Sequence, residues 1–453
     1  MIADSLRRET EGETFTLMET PCVQSAAPLW HNNGFRLLFS AQIISLLGSG
    51  VTTVGLALFA YQITGGASAT AVIGNALMLR ILAFLLFSQP AGVIADRVSR
   101  KQILIIADLI RFGLLALFPF INSVWQINAL IFAINAVTAF FTPTFEASIP
   151  EVVGDEQYVK ALSFSRVAVD AEAVAAPAVA GLLVALLGLR WVFWFDAITY
   201  LFSALLVAFV IIPRAAKTMT PLSWRIFFEE ITHGTRVLLR EPSLRQALTL
   251  SLAEATAGAA AIVVTVAYVR DVLGRGETAF AMMMAALGLG STVAALLLGR
   301  ASGRYERGAR NKAILHGRRH QWTAQALMLG GTVLGLLLLP GVFVPPLFVF
   351  GLLWMLNGAG QALIAIPSST LLAEHTREEE RGRAYAAHFA LTHACWLLTY
   401  PAVGHAAARW GAPATFTVAG IVCLLITLAA KVVGRRPSGA HSHDDNSSRT
   451  DLI

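Results

Sequence analysis

Long apolar stretches alternate with short polar breaks along almost the whole chain. They fall at 35–62, 70–95, 101–121, 125–148, 161–188, 190–212, 246–272, 278–299, 322–340, 344–372, 384–408 and 412–433. Each is close to or above the roughly 20 residues that a helix needs to cross about 30 Å of hydrocarbon. The pattern predicts twelve membrane helices, and an even number places both termini on one side. The longest break, 213–245, divides them into two sets of six. Inside it Trp224, Phe227, Phe228, Ile231 and Leu238 share one helical face, while Arg225, Glu229, Glu230 and Arg236 fill other positions. That spacing predicts an amphipathic helix lying on the membrane surface. The expected organisation is a tail at 1–34, six helices over 35–212, a linker at 213–245, six helices over 246–433 and a tail at 434–453.

Composition agrees with the pattern. Apolar types make up 56% of the 453 residues and charged types 14%, against about 25% charged in a soluble domain. Mean hydropathy is +0.65. The first 34 residues have no apolar run of the signal-peptide kind, so no cleaved leader is expected there. The placement of charge sets the orientation. Of the 34 Lys and Arg residues, 27 fall on the side of the termini, only Arg190, Arg270, Arg275 and Arg409 on the other, and Arg80, Arg111 and Arg166 inside helices. Both termini are therefore expected in the cytoplasm.

The two sets of six echo each other. At an offset of 224 residues, Pro143 falls on Pro367, Glu156 on Glu380 and Pro177 on Pro401. Parallel six-helix repeats are a transporter signature, with the substrate site between the halves near the bilayer midplane. The chain lacks HExxH, GxSxG and GxxxxGK[ST], so no hydrolytic or nucleotide-binding apparatus is expected. Cys22, Cys395 and Cys423 are far apart and read as unpaired. The C-terminal HSHDDNSSRT reads as a solvated tail. Neither a metal nor a cofactor is expected, nor a nucleic-acid partner.

After the second apolar stretch comes GVIADRVSRK, Gly92 to Lys101. It resembles the signature between helices 2 and 3 of the major facilitator superfamily, Gly-x-Leu-Ala-Asp-Arg-x-Gly-Arg-Arg/Lys, with Ser99 in place of the second glycine. The segments 107–111 and 143–182 are similar to the macrolide-efflux and siderophore-exporter branch of drug:proton antiporters. The resemblance implies an all-α polytopic fold of twelve transmembrane helices in two pseudo-symmetric six-helix halves. It implies a gating motif at Gly92, Asp96, Arg97, Arg100 and Lys101. Gly92 would let helix 2 approach helix 11, and Asp96 would pair with its cytoplasmic end through Arg381 or Arg383. The alternative is a topology anchor. The second copy, GRASGRYER at 299–307, has Gly303 where the acid would stand. AAPAVAG at 175–181 resembles the antiporter packing motif, keeping Pro177 and Gly181 but with Ala176 and Ala180 replacing glycines. A small-residue stripe, Ala171, Ala175 and Ala178, is expected to meet Gly288, Ser291 and Ala295.

A buried ionisable group costs a few kcal/mol or more at a membrane-helix centre, so each needs a reason. The resemblance makes helices 3, 6, 9 and 12 peripheral. Asp108 and Arg111 can pair at i, i+3 and read as structural, and so does Asp196 on helix 6. Asp170, Glu172 and Glu254 are the proton-coupling candidates, because a carboxyl group without a local cation can carry a proton. Arg166 and Asp170 can instead neutralise each other. Arg80, Asn135, Arg166, Asn357, Gln361, His393 and Trp396 are the substrate-cavity candidates, with helix packing as the rival role. The expected function is efflux of amphiphilic small molecules by alternating access and proton antiport, by a monomer whose partners are substrate, protons and lipid. A siderophore or metabolite exporter, and a scaffold or sensor on a transporter fold, are the alternatives.

Overall fold

A computed structural model describes residues 29–212, 224–308, 312–376 and 378–434. Residues 1–28, 213–223, 309–311, 377 and 435–453 lie outside the described residues. So do Gly92 and the side chains of Asp96, Arg97, Trp224, Phe227, Phe228, Ile231, Arg381, Arg166 and Asp170. Every described element is helical. The first half comprises α1 (Asn33–Thr64), α2 (Ser68–Arg97), α3 (Arg100–Leu117), α4 (Val124–Val153), α5 (Asp155–Leu187) and α6 (Arg190–Phe209). A 17-residue helix, α7 (Trp224–Arg240), follows. The second half comprises α8 (Pro242–Val272), α9 (Glu277–Gly308), α10 (Lys312–Leu338), α11 (Leu347–His375), α12 (Glu378–Trp410) and α13 (Ala412–Val433).

Ten of these helices are long and apolar enough to cross a membrane. The other two of the expected twelve, α5 and α12, are each 33 residues long but more polar, and only Ala175–Leu187 of α5 is continuously apolar. Local chemistry sets several ends. The Asn32 side chain accepts from Phe35 N at 3.1 Å and caps α1. Ser123 and Gln126 form a capping box at α4, which satisfies backbone donors that the first turn leaves open. Pro143, Pro177, Pro367 and Pro401, the matched prolines of the sequence repeat, all lie inside helices.

The halves pack alike. The pairings α1–α6, α2–α4 and α3–α6 recur as α8–α13, α9–α11 and α10–α13. Between the halves, α2 meets α12 and α5 meets α9, which are equivalent pairs under exchange of the two repeats. Helix α7 falls where the amphipathic helix is expected and docks on α12, with His233 Nε2 3.3 Å from Glu380 Oε1. A Cβ on Gly234 would collide with the Arg383 carbonyl. Leu238, expected on the lipid-facing stripe, is 1% exposed and buried in protein.

The first half encloses an ion pair. Arg111 donates to Asp108 Oδ1, and both side chains are at most 2% exposed. The Arg111 guanidinium lies 4.1 Å from the Phe141 ring centroid and 4.2 Å from that of Tyr200. Removing one partner of such a pair strands the other charge. Arg111→Leu is expected to destabilise the protein by roughly 3–5 kcal/mol. Thermal unfolding in detergent is the measurement, and Arg111→Leu combined with Asp108→Leu should recover most of the loss.

Candidate functional site

A cavity of about 380 Å³ lies between the halves. From the first half it is lined by Ser49, Gly50 and Thr53 of α1, Arg80 of α2, and Glu172, Ala176 and Pro177 of α5. From the second it is lined by Ile262 of α8, Phe280, Met284 and Ser291 of α9, and Gly358 and Gln361 of α11. Arg80 sits 12 residues into α2, so the cavity is about 18 Å from that end of the bundle at 1.5 Å per residue. The walls are mostly apolar, and among the described residues the charge within them is one guanidinium and one carboxylate.

Each polar group has a structural reason for its place. A Cβ on Gly50 would collide with Glu172 Oε1, so the glycine admits the carboxyl group between α1 and α5. Arg80 is exposed to the cavity and acts electrostatically on Glu172, His393 and Tyr400. Gln361 donates Nε2 to Asn357 Oδ1 at 2.9 Å, while Asn357 itself is fully buried behind it. The Ser49 hydroxyl lies 2.9 Å from the Tyr200 hydroxyl. Ser49 and Thr53 also bond to α1 carbonyls four residues back, as hydroxyls in membrane helices commonly do.

Of the substrate-cavity candidates, Arg80 and Gln361 line the central cavity, as does the coupling candidate Glu172. Asn135 lines a smaller adjoining one and donates to the Ile131 carbonyl at 2.8 Å. His393 is stacked on Phe389 at 3.8 Å between ring centroids, and its Nδ1 is 2.9 Å from the Phe389 carbonyl. Trp396 packs against Gly258 and lies 5.1 Å from the Tyr400 ring. Glu254 is outside the cavity lining, near Cys395, and has no hydrogen-bonded or charged partner among the described residues. Arg166 and Asp170 lie outside the described side chains. The contributions of Ser49, Thr53 and Met284 were not anticipated. A polar pair four residues apart in the middle of α1 was the available signal for the first two.

At the sequence motif after α2, Arg100 reaches Glu151 at 2.6 Å and the Ala147 carbonyl at 2.6 Å. It thus ties the start of α3 to the end of α4 within one half. Lys101 is half-buried. Gly181 approaches α9 closely, since a Cβ would stand 2.8 Å from Ala281. The expected stripe at Ala171, Ala175 and Ala178 is exposed, and Ala176 and Ala180 are buried instead, at 1% and 0%.

At the end of the bundle away from the termini the two halves are bridged. Tyr61 of α1 donates to Asp271 Oδ1 of α8, and Arg270 lies over the Tyr61 ring at 5.2 Å and 3.9 Å from Glu277. Beside them the Thr70 hydroxyl of α2 donates to the Gly404 carbonyl of α12 at 2.9 Å.

Two bundles of six helices facing each other across a mostly apolar cavity that holds a few polar groups define a polytopic membrane transporter. The chain belongs to the major facilitator superfamily, whose family profile matches residues 38–317 and 316–450. Macrolide efflux protein A of Streptococcus pyogenes is 29% identical over 215 residues, 46% of this chain and 52% of that protein. The match thus spans about half the length of that relative. Multidrug resistance protein MdtG of Klebsiella pneumoniae (strain 342) is 26% identical over 365 residues, 79% of this chain and 82% of the relative. A POT family transporter solved in complex with 5-aminolevulinic acid superposes with a TM-score of 0.69 at 12% identity, covering 90% of this chain and 97% of that one. This last likeness concerns the fold alone.

Proposed function

We propose that the protein exports amphiphilic small molecules of the macrolide or drug type across the cytoplasmic membrane, by alternating access driven by proton antiport. The observation that carries this reading is the central cavity, with greasy walls and an opposed Arg80 and Glu172 at mid-depth. Apolar surface holds the body of an amphiphile and a few polar groups orient it. The names of the macrolide-efflux and multidrug-resistance relatives support the direction of transport. With both termini in the cytoplasm, as the charge bias indicates, the end where the halves are bridged is the outer one. The gating role of Gly92, Asp96, Arg97, Arg100 and Lys101 is part of the same proposal. The protein then rests with its binding site available from within, and protonation of a cavity carboxylate favours one of the two states.

Expression in a host stripped of its own efflux pumps is the test. Accumulation of labelled macrolides and cationic dyes should fall several-fold in energised cells and recover with a protonophore. Unchanged accumulation across the panel, with no transport in proteoliposomes, would refute the proposal. Arg80 in the cavity favours a second reading, an exporter of anionic metabolites or siderophores. Reduced secretion from a deletion strain with unaltered drug susceptibility would select it.

A further inference from the structure

Asp196 of α6 is 1% exposed, on a helix that the sequence reading treats as peripheral. Room has been made for it on α1, where a Cβ at Gly48 would collide with its Oδ1. Its direct partner is a hydroxyl, Thr199 Oγ1, at 3.3 Å from Oδ1. Thr52, 8% exposed, faces it outside ordinary hydrogen-bond geometry and has no other partner among the described residues. Arg111 of α3, an enclosed guanidinium of a neighbouring helix, is bonded to Asp108 and reaches Asp196 only through space.

The carboxyl group is not sealed off. A cavity of about 70 Å³ runs from Asp196 between α1, α2, α4 and α6, past Thr52, Asn135, Thr138 and Tyr200. It shares Ser49, Thr53 and Arg80 with the central cavity. A polar passage of that size has room for a short file of water. Among the described residues no cation is bonded to Asp196, since Arg111 is bonded to Asp108 and acts on Asp196 only through space. In a low-dielectric interior a carboxylate without a bonded cation is costly, and taking up a proton removes that cost.

We propose that Asp196 is a second proton-binding station, filled from the central cavity through this water-accessible spur. The inference rests on the proton-antiport reading and adds a site to it. Water delivers the proton to a carboxylate oxygen and takes it back by the same path. Arg80 lines both cavities and acts on Glu172, so it marks the point where the spur joins the central cavity.

Infrared difference spectra of the reconstituted protein, recorded between high and low pH, test the station directly. A protonated-carboxyl stretch should titrate in the wild type and be missing from Asp196→Asn. In Asn135→Leu, which fills the spur and keeps the acid, the same band should exchange with deuterated water at least tenfold more slowly. An unaltered spectrum in Asp196→Asn, or unaltered exchange in Asn135→Leu, overturns the proposal. The antiport reading is judged separately, by whether wild-type efflux responds to a pH gradient, so the two can fail independently.

Discussion

Glu172→Gln is expected to abolish export against a gradient while exchange of labelled substrate between the two faces continues. The carboxamide keeps the shape that Gly50 accommodates and the contact with the cavity, but it cannot take up or release a proton. Substrate binding and the movement of the halves should therefore survive, and only their coupling to the pH gradient is lost. Uphill flux should drop below about a tenth of wild type, a change of more than roughly 1.4 kcal/mol in the effective barrier. Glu254→Gln should have a smaller effect, because Glu254 stands off the cavity. Flux measurements in proteoliposomes with an imposed pH gradient make the comparison. Full gradient-driven export by Glu172→Gln, Glu254→Gln and Asp170→Asn alike would remove all three from the coupling path.

The second large effect should come from Gly404→Val. A Cβ at position 404 would stand 2.5 Å from the Thr70 carbonyl oxygen and 3.2 Å from its carbon. The opposing residue is Gly74, whose own Cβ would meet the Tyr400 carbonyl. Backbone cannot swing aside as a side chain can, so overpacking of this kind costs about 1–3 kcal/mol. The cost arises only when the ends of α2 and α12 are together. The substitution should therefore shift the conformational balance toward the form open at that end, by roughly 5- to 150-fold, and export should slow accordingly. Spin-label distances between α2 and α12 would show the change as a longer separation. Gly113→Ala, where nothing lies within 4 Å of the added carbon, serves as the control and should behave as wild type.

The architecture was largely readable because length and hydropathy act on whole helices. Ten helices are apolar enough to be found by composition. For α5 and α12 the matched prolines, Pro177 and Pro401, marked the correspondence where hydropathy was weaker. The site was read less completely. Arg80 and Glu172 stand out as charges in apolar stretches, and Gln361 as a mid-helix amide. Depth along a helix can be counted from its ends, but the side a residue presents depends on its neighbours. Asp196 was read as structural because the family resemblance makes its helix peripheral, and nothing in its own segment shows that Gly48 of α1 lies opposite it. The stripe at Ala171, Ala175 and Ala178 failed in the same way: its spacing was helical, but the face was the wrong one. Leu238 had the period of a membrane-facing residue and is covered by protein instead.

One irregularity in α8 bears on how this helix should be probed. The helix widens into π turns at Ala260–Val264 and again at Tyr268–Val272. Each such turn takes in one residue more than an α turn and so rotates all that follows by about 100° relative to an unbroken helix. A helical wheel drawn through the whole segment is thus out of phase twice between Glu254 and Asp271. From Ala255 to Val269 every residue but Ile262 is buried, so positions that a straight wheel makes lipid-facing should report from the protein interior in a cysteine or tryptophan scan.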